Sequence, residues 1–446
     1  MSSQTSKKSL FSGKNGENYL FPFILITSLF FLWGFAHSLL DVLNKHFQDS
    51  LHLTKAQSAL VQASAYGAYF LMAIPAGLVA KKYGFKKGIL VGLTLFAAGA
   101  FWFVPAVAIN AFWAFLLGLL ILFSGLTFLE TVANPYTTLL GAPDRAASRI
   151  NLAQTFNALG WIMGPLIGSL LIFKNNSKQS IFELFFQAVE KVFFGVKSAV
   201  VSMTESQTDN SALIPPYVGL GAIVLLVLIL FFLAKLPEVT TDTDSHSDTA
   251  ADTNRINQPV PLIKQRHFIL AVIAQFLYVA AQTGIGSFFI NYTTEVKELQ
   301  LTEIQGGLLL GLGGMLLFAI GRLSGSMIMK KIKPGLLLGI FALINTLLMF
   351  VVTQVHNRFG VISLIACYLF MSIMFPSIFA LGLKNLGKET KTASSILVLT
   401  VVGGAIAPWL MGVIGAENMN IGFIVPLICF LYISYYGFFG SKVQKS

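Results

Sequence analysis

Residues 31–41 read FLWGFAHSLLD, and residues 276–286 read FLYVAAQTGIG. Both lie inside long apolar runs, at an offset of 245 (276 minus 31). Working outward from the pair, other features recur at nearly the same offset. Asn134-Pro135 is matched by Phe375-Pro376, Gly164-Pro165 by Ala407-Pro408, and Lys81-Lys82 by Lys330-Lys331. The chain therefore reads as two similar halves laid out in the same order.

Composition decides what the halves are. The 446 residues are 55% hydrophobic and only 11% charged, where a soluble domain carries about 25% charged residues. Such a chain cannot cover itself with a water-soluble surface, so the fold class is an all-α polytopic membrane protein. Hydropathy predicts twelve spans, at 19–46, 57–80, 86–107, 110–139, 150–173, 213–235, 267–292, 302–328, 334–354, 359–384, 392–415 and 420–440. Most meet the roughly 20 residues that a helix needs to cross the hydrocarbon. The domain reading follows: a tail 1–18, a six-helix bundle 19–235 with an extracellular loop 174–212, a cytoplasmic linker 236–266, a second bundle 267–440, and a tail 441–446. The loop core SIFELFFQAVEKVFFGVKSAV has helical apolar spacing, which predicts an amphipathic helix on the outer surface, with a lid over the entrance as the alternative.

The net charge of +11 does not indicate nucleic acid, because the basic residues sort by loop. Of the 30 Lys and Arg, 21 fall in the tails and alternate loops on one side and 8 in the opposite loops; Arg322 lies within a span. The positive-inside rule places the richer side, with both termini, in the cytoplasm. The two cysteines, Cys367 and Cys429, lie in apolar spans. No disulfide, metal-ligand spacing, phosphate loop or nucleophile motif appears, so no cofactor and no enzyme activity are expected. The first apolar run continues into span 1, longer than a cleavable signal's core.

Two carboxylates interrupt the apolar spans. Asp41 follows LFFLWGFAHSLL, and Glu130 lies in LLGLLILFSGLTFLETVANP. A charge at the bilayer centre costs at least about 2.5–3.5 kcal/mol, so such groups face protein or a polar cavity. Burial favours a carboxyl's neutral form, which suits proton uptake and release; these two residues are the candidates for proton coupling. Span 1 carries Asp41 about 30 Å along its length, toward the outer end, while span 4 runs the other way and holds Glu130 in its inner half. An alternative for Asp41 is a boundary acid paired with Lys45. Pro135 removes the donor for the Thr131 carbonyl and predicts a kink in span 4.

Amides and aromatics gather nearby. Asn151, Gln154 and Asn157 in span 5, and Gln275, Gln282 and Asn291 with Tyr278 in span 7, suit a polyhydroxylated ligand, since amides both donate and accept. Trp33 or Tyr278 suits the apolar face of a pyranose. Ser38, Asn134 and Arg322 complete the candidate substrate set, and His37, one turn before Asp41, reads as a satisfied polar contact or as a further member of the proton path. For any single amide, packing between helices explains it equally well. Gly160, Gly164 and Gly168 have the spacing of a close helix contact.

The stretches LFFLWGFAHSLLDVLNKHF, FLETVANPYTTLLG, RINLAQTFNALG, QFLYVAAQT and LGLKNLGKETKTASSILVLTVVGG resemble the fucose/galactose/glucose/mannose–proton symporters, whose parallel six-helix repeats are those of the major facilitator superfamily. The resemblance implies a monosaccharide and a proton as cargo, moved by alternating access, with no nucleic acid and only the lipid bilayer as surroundings of a monomer. It places the family's span 1 aspartate and tryptophan on Asp41 and Trp33, its span 4 glutamate on Glu130, its span 5 Gln and Asn on Gln154 and Asn157, and its span 8 arginine on Arg322. The chain departs from the pattern at Leu40, where the family has Asn. Fucose-carrying members have further Asn at His37 and Ser38, Trp at Gly286 and Tyr at Phe375. Other readings of the same fold are a sodium–sugar symporter, a drug or metabolite exporter, and a sugar sensor that moves nothing.

Overall fold

A computed structural model describes residues 19–140, 146–173, 179–195, 209–234, 262–329, 331–386 and 389–442. The expected tail 1–18 and nearly all of the expected linker 236–266 lie outside these residues, as does the end of the chain from 443. Among the described residues every element is helical, and twelve helices are long and apolar enough to cross a membrane. They are α1 Leu20–Ser50, α2 Lys55–Tyr83, α3 Phe85–Ile109, α4 Phe112–Thr137, α5 Leu152–Ile172, α6 Asn210–Leu233, α7 Arg266–Glu295, α8 Glu303–Gly325, α9 Pro334–Gln354, α10 Arg358–Gly382, α11 Thr392–Ile414 and α12 Met419–Gly440. The expected spans and these helices coincide apart from a few terminal residues. α7 starts at Arg266, just inside the stretch read as linker.

Two apolar cores form. One is built from residues of α1–α6 and the other from α7–α12. The exceptions mark where the halves meet: Ile290, Ile304 and Leu308 join the first core, and Ala59, Ala188 and Val192 join the second. Within the first half, α1 and α5 pack backbone to backbone. Gly160 sits directly on the Phe31 carbonyl, where any side chain would collide, as the spacing of small residues requires.

Prolines act unequally in the two halves. α4 continues as a helix through Pro135, so the expected kink produces no break. α10 is interrupted after Met371 and resumes at Met374, just before Pro376. Pro376 has no N–H for the Ser372 carbonyl one turn earlier, and the helix opens there. α8 contains a π-helical stretch at Leu309–Met315.

The predicted surface helix exists as Ile181–Val189, capped by a reciprocal Ser180–Glu183 box and prolonged by a π-turn Glu190–Phe194. It does more than lie on the surface. Leu184, Ala188 and Val192, at i, i+4 and i+8, are buried, and Ala188 and Val192 belong to the second half's core. The connection between α5 and α6 thus reaches across and docks on α8 and α10.

Candidate transport site

The site grows from two facing stripes. α1 presents Trp33, His37 and Asp41 at i, i+4 and i+8; α2 presents Gln62, Tyr66 and Tyr69 at i, i+4 and i+7. Each set shares one helix face, and because the helices run in opposite directions the stripes meet in reverse order. The Gln62 amide donates to Asp41 Oδ1 at 3.1 Å. The Tyr66 and Tyr69 rings stand 6.3 and 5.4 Å from the His37 ring. The Tyr69 phenol lies close to the Trp33 indole and the Glu130 carboxyl. One face of α2 therefore leads from one acid to the other. In the sequence the stripe is three polar positions at helical spacing in an apolar helix.

The two acids have different surroundings. Asp41 is 5% exposed. Its lid is Gly286 of α7, where even a Cβ would lie 2.7 Å from Asp41 Oδ2. Lys45 pairs instead with Asp49 at 2.6 Å, which removes the boundary ion pair considered for Asp41. Glu130 is half-buried and lines a cleft with Leu29, Phe30, Trp33, Ala133 and Asn134. Among the described residues, neither carboxylate has a basic group within salt-bridge distance.

Above Asp41 the halves are joined, on the side opposite the termini. Asn44 Nδ2 donates to the Ser287 carbonyl at 2.6 Å, and Asn291 Nδ2 to Gln48 Oε1 at 2.6 Å. Lys55 Nζ meets Glu295 at 2.6 Å and the Gly415 carbonyl at 2.9 Å, while Glu295 accepts the Met419 N–H at 2.9 Å. Tyr66 is linked to Thr283 of α7 at 3.0 Å. α5 and α8 also meet across the halves, Gly307 on Ser169 and Gly311 on the Ile162 carbonyl, and farther along they carry exposed apolar positions: Leu152, Phe156 and Leu159 on α5, and Leu316, Ile320 and Leu323 on α8. The polar contacts that cross between the halves gather at the end above Asp41.

The remaining candidates divide. Trp33, Glu130 and Asn134 share the cleft, although the Asn134 amide is turned back onto the Glu130 carbonyl at 3.1 Å. Asn157 is buried and donates to the Phe30 carbonyl at 3.0 Å, pinning α5 to α1. Ser38 donates to Phe35 and Gly160 carbonyls at 3.1 and 3.4 Å. Gln154 and Gln282 are half-buried. In the second half, Tyr278 is fully buried and donates to the Met371 carbonyl at 3.1 Å, and Arg322 Nε donates to the Ser372 carbonyl at 3.5 Å, its guanidinium over Phe318. Both serve the carbonyls at the break in α10. Gln275 is fully buried with neither amide atom hydrogen-bonded. The sequence suits all three to ligand contact; the structure places them in packing.

Comparison with known proteins agrees with this architecture. The sequence profile of the Major Facilitator Superfamily matches residues 26–410. The L-fucose-proton symporter of Escherichia coli (strain K12) is 38% identical over 432 residues, spanning 96% of this chain and 95% of that protein. A glucose/galactose transporter of Brucella abortus biovar 1 (strain 9-941) is 35% identical over 429 residues, 96% of this chain and 95% of the relative. A crystal structure of the transporter FucP in the outward conformation superposes with a TM-score of 0.63 at 37% identity, covering 95% of this chain and all of that one. A profile matched over most of the chain, and relatives of this identity over nearly its whole length, settle the assignment: the chain belongs to the Major Facilitator Superfamily and is a multi-pass membrane transporter rather than an enzyme.

Proposed function

We propose that this protein carries a monosaccharide of the fucose, galactose or glucose class into the bacterial cell together with a proton. The observation that carries the reading is the pair of carboxylates without cations, Asp41 and Glu130, at two depths of the first half and joined by the Gln62–Tyr66–Tyr69 face of α2. The relatives bearing the names L-fucose-proton symporter and glucose/galactose transporter support the cargo class.

In this reading the basic side, with both termini, is cytoplasmic, the protein sits in the inner membrane as a monomer, and the two six-helix halves rock about the shared seam. With the joined end periplasmic, this reading takes the state as inward-facing. Sugar binds beside Trp33 and Glu130, with Gln154 and Gln282 supplying amides from the two sides. A charge left at Asp41 while α7 closes over it is disfavoured, because only one neutral amide answers it. Closing the periplasmic seam and carrying the proton therefore go together. Gln62 offers Asp41 an N–H rather than an oxygen cage, which favours a proton over sodium.

The test is flux in proteoliposomes. Labelled hexose should accumulate under an inward proton gradient, collapse with an uncoupler, and ignore sodium. Glu130→Gln should lower proton-driven accumulation at least tenfold and retain sugar exchange. Wild-type accumulation in Glu130→Gln, or sodium-driven uptake at constant pH, would overturn the assignment; sugar binding without flux would make the protein a sensor.

A further inference from the structure

His37 sits in a box of rings. Its imidazole lies 4.9 Å from Phe123, 5.4 Å from Tyr69, 5.7 Å from Trp161, 6.2 Å from Trp33 and 6.3 Å from Tyr66, centroid to centroid. Four helices contribute: α1, α2, α4 and α5. The ring is fixed by one polar contact, Nδ1 to the Trp33 carbonyl at 3.2 Å. A carbonyl carries no hydrogen, so Nδ1 is the protonated nitrogen, and in the neutral ring Nε2 is left as a bare lone pair. Nε2 has no hydrogen bond among the described residues, yet the residue keeps 8% of its surface open.

An acceptor with no protein donor takes one from whatever enters the box, and every wall of this box is aromatic. The donor that fits must come with an apolar body able to lie against rings. The box adjoins the cleft of Trp33 and Glu130 on one side and Asp41, one helical turn on, on the other. It reaches the seam between halves through Tyr66 and Trp161, which pack against the second core.

We propose that His37 Nε2 accepts a hydrogen bond from one hydroxyl of the transported sugar, with the C–H face of the ring against Trp33 or Trp161, and that this contact decides which hydroxyl pattern the protein accepts. The inference rests on the sugar-transport reading and adds to it a residue that selects among sugars. Asp41 and Glu130 keep their proton roles; His37 gives and takes no proton here.

The contact is measured by a protein-by-substrate cycle. Proteoliposomes exchanging labelled galactose, or whichever aldohexose is carried, are challenged with the parent sugar and with its 2-, 3-, 4- and 6-deoxy derivatives, in wild type and in His37→Phe. A single lost hydrogen bond corresponds to about a tenfold change in affinity. Wild type should bind one of the four deoxy sugars about tenfold more weakly than the parent. His37→Phe should weaken the parent about tenfold, leave that one deoxy sugar unchanged, and keep the other three ratios. His37→Gln, which restores an acceptor, should recover part of the preference, and His37→Leu replaces the Phe variant in the cycle if that protein does not fold. Equal weakening of every sugar, or no change in any, overturns the role of His37 while sugar transport stands. A wild type that exchanges none of the sugars overturns both readings.

Discussion

At the scale of single residues, what distinguishes the two acids is what covers them. Asp41 is enclosed by the backbone of Gly286 and answered by one amide, whereas Glu130 opens on a cleft. Asp41→Asn keeps size and the contact with Gln62 but removes the titrating oxygen. It should lower uptake about tenfold and flatten the dependence of uptake rate on external pH; a pH profile parallel to wild type would remove Asp41 from the proton path. Both acids were visible in the sequence, since each is the sole acid within its apolar run. Their environments were not. Lys45 looked like a partner at one helical turn, but Asp49 occupies it from the other side. The roles of Tyr278 and Arg322 were hidden for a related reason: nothing local shows that Pro376 leaves α10 open and that its carbonyls need donors from α7 and α8.

At the scale of elements, the helix at Ile181–Val189 carries the most information. Its apolar spacing predicted a surface amphipath, which it is: Phe182, Phe186 and Phe194 remain 68%, 60% and 74% exposed. The opposite face bridges the halves: Leu184 belongs to the first core, Ala188 and Val192 to the second. Lys191 Nζ adds a bond to the Gln300 carbonyl at 3.0 Å, and the helix C-terminus turns on Gly195 at φ +68 beside Arg358. A strap tethered to one half and packed on the other resists their separation on that side. Val192→Asp buries a charge at a fully enclosed position, an unfavourable change of at least about 1–3 kcal/mol. Labelling of an Asn44→Cys reporter by an impermeant maleimide added outside should then rise about tenfold. Unchanged labelling would mean the strap moves with the second half and holds nothing shut.

At the scale of the whole molecule, the closed seam is a row of bonds crossing between halves: Asn44 to Ser287, Gln48 to Asn291, and Lys55 to Glu295. The Lys55–Glu295 pair is 13% and 26% exposed and is bound further to the Gly415 carbonyl and the Met419 N–H. That places it among ion pairs with real coupling rather than solvated surface pairs. Lys55→Glu or Glu295→Lys alone sets like charges face to face. Each should speed the opening of the outer seam, read by the same maleimide, and lower uptake severalfold. The double swap should restore both to within about twofold; if it behaves as the sum of the single variants, the pair is not a latch.

The sequence alone determined the class, the number and place of the spans and the repeat, because an apolar helix announces itself by composition and length, and the cost of charge in hydrocarbon confines Asp41 and Glu130 to the interior. It also held the α2 stripe at Gln62, Tyr66 and Tyr69 in plain helical spacing. Only the tertiary structure decided which face of each helix meets which neighbour, since hydropathy in a membrane is nearly the same all round a helix. That is why the box around His37, the lid of Gly286 on Asp41, the strap across the halves and the closed end of the seam emerge from packing between distant segments rather than from any local pattern.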